Sequence, residues 1–209
     1  MNKGKLIVFE GMDCCGKSTQ LKIANKYLVR KGFKVYCTRE PGGTMLGEAI
    51  RRLLKDNNMI ISKETERFMF ATARQEHNVL IKKMLDEGYI VLSDRHYLTS
   101  YVYQGTDSDV IALNEAANRI LVDNGYKINN LTYDLSYEDY MIRINNRNSK
   151  DRFEQKLLDE KVFNRLCESY RIVTGYEDGY FIETNNKSID DIKKETIEII
   201  KNILKGEHK

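Results

Sequence analysis

The stretch KLIVFEGMDCCGKST, Lys5 to Thr19, decides the fold. Its first part, Lys5 to Glu10, is a short apolar run of the kind a fully buried parallel strand shows. It leads into the frame Gly11-x-x-x-x-Gly16-Lys17-Ser18, and a helix is predicted from Lys17 to Lys31, stopped by Gly32. Strand, glycine loop and helix in that register make a phosphate cradle. Glycines at 11 and 16 let backbone N–H groups converge on an anion, and the helix start adds about half a positive charge. Lys17 is placed to bridge the β- and γ-phosphates, and Ser18 offers a hydroxyl to magnesium. A chance Gly-Lys-Ser turn is the alternative, and the flanking strand and helix weigh against it.

Outward from this loop, strand-like and helix-like segments alternate. FKVYCT (Phe33 to Thr38) reads as a second strand, followed by the turn REPGGT and a helix through MLGEAIRRLLKD. A long helix is predicted from Glu64 to Glu87, ended by Gly88, and YIVLSD (Tyr89 to Asp94) is a third buried strand. Further helices are predicted over Asn114 to Asn124, Tyr137 to Arg147, Phe153 to Val173 and Ile189 to Leu204. NNLTYDLS and GYFIET supply two more strands. The pattern predicts an α/β fold of the P-loop NTPase type. Right-handed crossovers give a doubly wound parallel sheet of about five strands, helices on both faces and ligands at the strands' carboxyl ends.

Composition bounds the function. The chain has 209 residues, long enough for one well-buried core, and no Gly/Ser-rich linker or internal repeat divides it, so one domain over 1–209 is expected. Lys+Arg 34 against Asp+Glu 31 leaves a net charge of +3, too even for a general nucleic-acid surface. No apolar run approaches the ~20 residues of a membrane span, and the start MNKGKLIVFEG lacks a secretory core, so a cytoplasmic protein with reduced thiols is expected.

Asp94 ends the third strand, where a carboxylate meets magnesium directly or through water, although strand-end aspartates also cap turns. Arg39 and Arg95 follow strands two and three, and two cations at that edge suit a second anionic ligand. Phe70 and Arg74 share a helix face. A ring beside a guanidinium suits stacking a base and bonding its edge; the same spacing also fits a core Phe and a surface Arg.

In order, FEGMDCCGKST, TREPGGT, FMFATAR and LSDRHYLTSYVYQG resemble the thymidylate kinase family of the bacterial kind. The resemblance runs over nearly the whole chain, through RNSKDRFEQ and FNRLCESY. It implies transfer of the ATP γ-phosphoryl group to dTMP, with magnesium, in dTTP synthesis by a homodimer. By the same resemblance Gly11, Met12, Asp13, Cys14, Cys15, Gly16, Lys17, Ser18 and Thr19 hold ATP. Arg39 and Arg95 clamp the dTMP phosphate, and Asp13 lies near the sugar 3′-hydroxyl. Phe70 stacks on thymine, Arg74 bonds its O4, Ser100 reaches N3 and Tyr103 packs below the deoxyribose, with Gln104 beside it. Thr99 stands where the family pattern prefers serine.

In one branch of the family an arginine in the phosphate loop neutralises the transferred group; here Cys14 takes that position. The alternative source is a lid segment at about 143–153, where Arg143, Arg147, Lys150 and Arg152 lie. A solvated basic loop is the bland reading of that run. One cation 4 Å from a unit charge is worth about 4 kcal/mol at an effective dielectric of 20, so its source matters. Lys17, Arg95, Asp13, Arg147 and Arg152 are the expected catalytic set, with Arg143 on the ATP side. A helix start and Lys17 nearby also suit a reactive cysteine at 14 or 15, but both are better read as spacers in a loop that grips phosphate through its backbone. Another monophosphate kinase or a deoxynucleoside kinase, kept open by Glu40, are rival readings, and a nucleotide-dependent switch is a third.

Overall fold

The computed structural model describes residues 3–145 and 152–206. Five strands, β1 (Lys5–Gly11), β2 (Val35–Arg39), β3 (Ile90–Asp94), β4 (Ile128–Tyr133) and β5 (Tyr180–Ile182), form one parallel sheet in the order β2-β3-β1-β4-β5. The helices are α1 (Lys17–Arg30), α2 (Met45–Lys55), α3 (Lys63–Asp86), α4 (Tyr97–Gln104), α5 (Ser108–Val122), α6 (Tyr137–Ile144), α7 (Arg152–Lys156), α8 (Glu160–Tyr176) and α9 (Ile189–Lys205).

β1 is buried along its length because both faces of the sheet are covered. Its alternate residues enter different cores. Ile7 and Phe9 pack with Leu28 of α1, Phe163 of α8 and Ile200 of α9, whereas Leu6 and Val8 meet Ile81 and Leu85 of α3 and Leu121 of α5. This is the doubly wound α/β architecture predicted, with the carboxyl ends of β2, β3 and β1 side by side.

The helices differ from the sequence reading in several places; the one predicted over Tyr137 to Arg147 is described as far as Ile144, and Arg147 lies outside the described residues. Residues 97–104, given no element, form α4. The helix predicted from Asn114 begins at Ser108, where the Asp107 side chain accepts from Val110 N. The single helix predicted over Phe153 to Val173 is two, α7 and α8, because Asp159 caps a new start by accepting from Lys161 N and Val162 N.

Candidate active site

The phosphate loop spans the end of β1 and the start of α1. Gly11 has φ 130°, and a Cβ there would stand 2.4 Å from Tyr133 O on β4, so the strand can pass its neighbour only as glycine. Side-chain oxygens of Thr44, Ser62, Asp107, Ser136, Asp159 and Ser188 cap α2, α3, α5, α6, α8 and α9. α1 begins at Gly16 without a side-chain cap or an acidic residue in its first turn. Its leading N–H groups therefore suit an anion. Lys17 is buried, and its Nζ lies 3.2 Å from Met12 O, folded back over the loop.

The loop side chains divide in two. Asp13, Cys14, Gly16, Lys17, Ser18 and Thr19 line a cleft of about 550 Å³, whereas the Met12 and Cys15 side chains enter the core. Burial raises the Cys15 thiol pKa, against the lowering effect of Lys17. Burial thus weighs against thiol reactivity at Cys15 and fits a spacer in the loop. Cys14 has φ 66°, and its carbonyl accepts from Arg143 Nη1 at 2.9 Å. An arginine from α6 thus reaches the loop position that lacks one, held in turn by Asp139 at 3.3 Å.

Ser18 Oγ donates to Asp94 Oδ2 at 2.5 Å, so hydroxyl and carboxylate meet at the mouth of the loop. Both are oxygen donors, the set a hard divalent cation takes. Asp13 lies between two cations, 3.5 Å from Lys17 Nζ and 2.8 Å from Arg95 Nη2. Burial works to raise its pKa, but Arg95 and Lys17 overcome this and hold it well below the usual carboxylate range. Arg39 lines the same cleft, its Nη2 2.9 Å from Glu48 Oε2 on α2.

At the cleft's other end stand Phe70, Ser100, Tyr103 and Gln104. The Gln104 side-chain nitrogen is buried and has no hydrogen-bond partner among the described residues. Arg74 lies behind them, 2 % exposed and outside the cleft lining. Its Nη2 donates to Ser100 Oγ at 2.9 Å, its Nε to Glu40 Oε2 at 2.8 Å and its Nη1 to Asn114 Oδ1. Glu40 also accepts from His77 Nδ1 at 3.1 Å. Burial opposes ionisation of Glu40, but the cation of Arg74 overcomes it and holds the pKa below the usual range. His96, pushed down to about 3 by its own burial, is neutral at pH 7 and leaves that effect to the guanidinium and to the His77 hydrogen bond. A carboxylate so committed is a poor base for a nucleoside hydroxyl.

Several residues at the site escape a reading by motif. Phe153 of α7 lies edge-on to both Phe70 and Tyr103, at 6.2 and 6.4 Å between ring centres. Arg51 lines the cleft while its neighbour Arg52 is exposed, and the repeated Arg-Arg gives no sign which one turns inward. Glu10 is wholly buried behind Arg95, and its one signal is a charge inside an apolar strand. Arg147 and Lys150 lie outside the described residues, and of Arg152 the backbone alone is described, as the first residue of α7.

A family model described as thymidylate kinase matches residues 9–196. The chain is 37% identical over 204 residues to thymidylate kinase of Thermosipho africanus, covering 96% of this chain and 99% of that protein. It is 36% identical over 210 residues to the enzyme of the same name in Caldicellulosiruptor saccharolyticus, covering 97% and 98%. In fold it resembles the crystal structure of thymidylate kinase from Ehrlichia chaffeensis, with a TM-score of 0.72 and 24% identity over 96% of this chain and 100% of that one. A phosphate loop facing an arginine-lined cleft, on a chain matched from Phe9 to Thr196, has one consistent reading: this chain belongs to the thymidylate kinase family, whose reaction is the phosphorylation of dTMP.

Proposed function

We propose that the chain transfers the γ-phosphoryl group of ATP to dTMP, giving dTDP and ADP, with the donor and acceptor phosphates meeting at Asp13. One observation carries this division of the cleft. Asp13 bridges Lys17 and Arg95, so a cation suited to the donor and one suited to the acceptor share a single carboxylate.

On the donor side, backbone N–H groups of Gly11 to Thr19 hold the ATP phosphates, and Lys17 stabilises the charge that moves with the γ-phosphoryl group. Arg143 braces the loop at Cys14, and Arg147 and Arg152 complete the cations around the transferred group. Ser18 and Asp94 would hold magnesium, which neutralises phosphate charge when bound. On the acceptor side, Arg39 and Arg95 fix the dTMP phosphate, whose oxygen is already ionised and needs no general base. Phe70 stacks on the thymine, Ser100 reads its edge, and Arg74 reaches O4 from behind by exchanging its hydrogen bond to the Ser100 hydroxyl for one to the base; Tyr103 and Gln104 face the sugar and base.

We further read the chain as one domain, since its largest core cluster takes in residues from Ile7 to Ile203, and as a cytoplasmic protein. Among the described residues, no helix is long and apolar enough to cross a membrane. Exposed Met45, Leu46 and Leu53 on α2 and Val79 on α3 support a homodimer, which sedimentation velocity tests directly.

The deciding experiment is a coupled assay of ADP release with ATP and a panel of dTMP, dUMP, dCMP, AMP and thymidine. Turnover is expected with dTMP and not with thymidine. Equal turnover with thymidine would reject the assignment of Arg39 and Arg95 to an acceptor phosphate.

A further inference from the structure

Arg95 has φ 73°, in the left-handed region that a residue with a long side chain occupies only under restraint. The restraint is visible at each backbone group of the turn. Arg95 N donates to Phe9 O at 2.9 Å, and Arg95 O accepts from Ser93 Oγ at 2.8 Å. The next N–H, that of His96, donates to Glu10 Oε1 at 2.7 Å.

Glu10 also governs the other end of the arginine. Its Oε2 accepts from the Thr99 hydroxyl at 2.7 Å, and Tyr170 OH lies 3.5 Å away. Thr99 Oγ1 and Tyr170 OH are in turn the groups that accept from Arg95 Nη1, at 3.0 and 2.8 Å. An ionised carboxylate accepts on both oxygens, whereas an amide would turn a donor toward one of these partners. Two donors on opposite oxygens, with a guanidinium close by, explain why a charged residue sits at 0% exposure here.

We infer that Glu10 is a positioning residue for acceptor recognition: it fixes the Arg95 turn through His96 N–H and the Arg95 guanidinium through Thr99 and Tyr170, without touching the nucleotide. The inference rests on the reading that Arg95 holds the dTMP phosphate.

Calorimetric titration of dTMP and thymidine into the wild-type protein, Glu10→Gln and Arg95→Ala separates the two. The ratio of dTMP to thymidine affinity isolates the phosphate contact. In Glu10→Gln the ratio is expected to fall about tenfold while thymidine and ATP affinities stay unchanged. An unchanged ratio in Glu10→Gln, with the ratio lost in Arg95→Ala, overturns the role of Glu10. A ratio unchanged in both variants overturns the assignment of Arg95 itself. Equal losses for dTMP and thymidine in Glu10→Gln mark a merely structural residue and also overturn the inference. Should Glu10→Gln fail to fold by circular dichroism, Thr99→Val cuts the same link at its partly exposed end. There the ratio is expected to fall about threefold, and no fall overturns the inference.

Discussion

Arg74 Nε donates to Glu40 Oε2 at 2.8 Å, and both side chains are almost wholly buried. The pair joins α3 to the segment after β2 behind the end of the cleft lined by Phe70 and Ser100. Removing one member of such a pair leaves the other charge buried and uncompensated. Glu40→Ala is therefore expected to lose about 3–5 kcal/mol of stability, measured by urea unfolding, with Glu40→Gln losing less because it keeps an acceptor for Arg74.

The Ser18–Asp94 contact bears on the metal. If these oxygens hold magnesium, Ser18→Ala and Asp94→Asn raise the magnesium concentration needed for half-maximal velocity, by about tenfold each. Titrating MgCl2 at saturating ATP and dTMP checks this. An unshifted midpoint with lowered kcat would assign them another role.

Glu10 links stability to pH. Its pKa is raised from 4.5 to about 6, chiefly by burial, against Arg95, the Thr99 hydroxyl and the His96 N–H, with Glu40 adding to the rise and Tyr170 OH also facing it. A carboxyl that holds its proton more tightly when folded contributes most below its unfolded pKa, and the contribution is lost as pH rises through the folded value. Between about pH 4.5 and pH 6.5 the wild-type protein should lose about 1.5 kcal/mol that Glu10→Gln, which does not ionise, retains. Urea unfolding of both proteins at several pH values reads the difference. A constant offset between them would contradict it.

Phe153 extends the aromatic wall begun by Phe70 and Tyr103. Each edge-on ring pair is worth about 0.5–1.5 kcal/mol, so Phe153→Ala is expected to raise KM for dTMP about tenfold with a smaller change in kcat. Steady-state kinetics with dTMP varied at fixed ATP measure the split.

The parts of the site carried by contiguous sequence were legible. Gly11, Gly16, Lys17 and Ser18 announce themselves because strand, loop and helix are consecutive, and Asp94 and Arg95 close an unmistakable apolar strand. What escaped depends on contacts between distant segments. α4 has no local start signal: its cap residue, His96, makes no side-chain cap bond, and its N–H is held by Glu10 on another strand. Phe153 faces the cleft because α7 is a separate short helix, whose break from α8 lies in a cap at Asp159. That signal, like Asp107 before α5, was present in the sequence and outweighed by the helical periodicity around it.

The order β2-β3-β1-β4-β5 bears on how the chain is made. β1 pairs with β3 and β4, and β2 with β3, so the two strands synthesised first never pair with each other. Neither native neighbour of β1 exists in the growing chain until Ile90 to Asp94 has been made. The same five residues bring Asp94, so the strand that first secures the phosphate loop also delivers the carboxylate that meets Ser18.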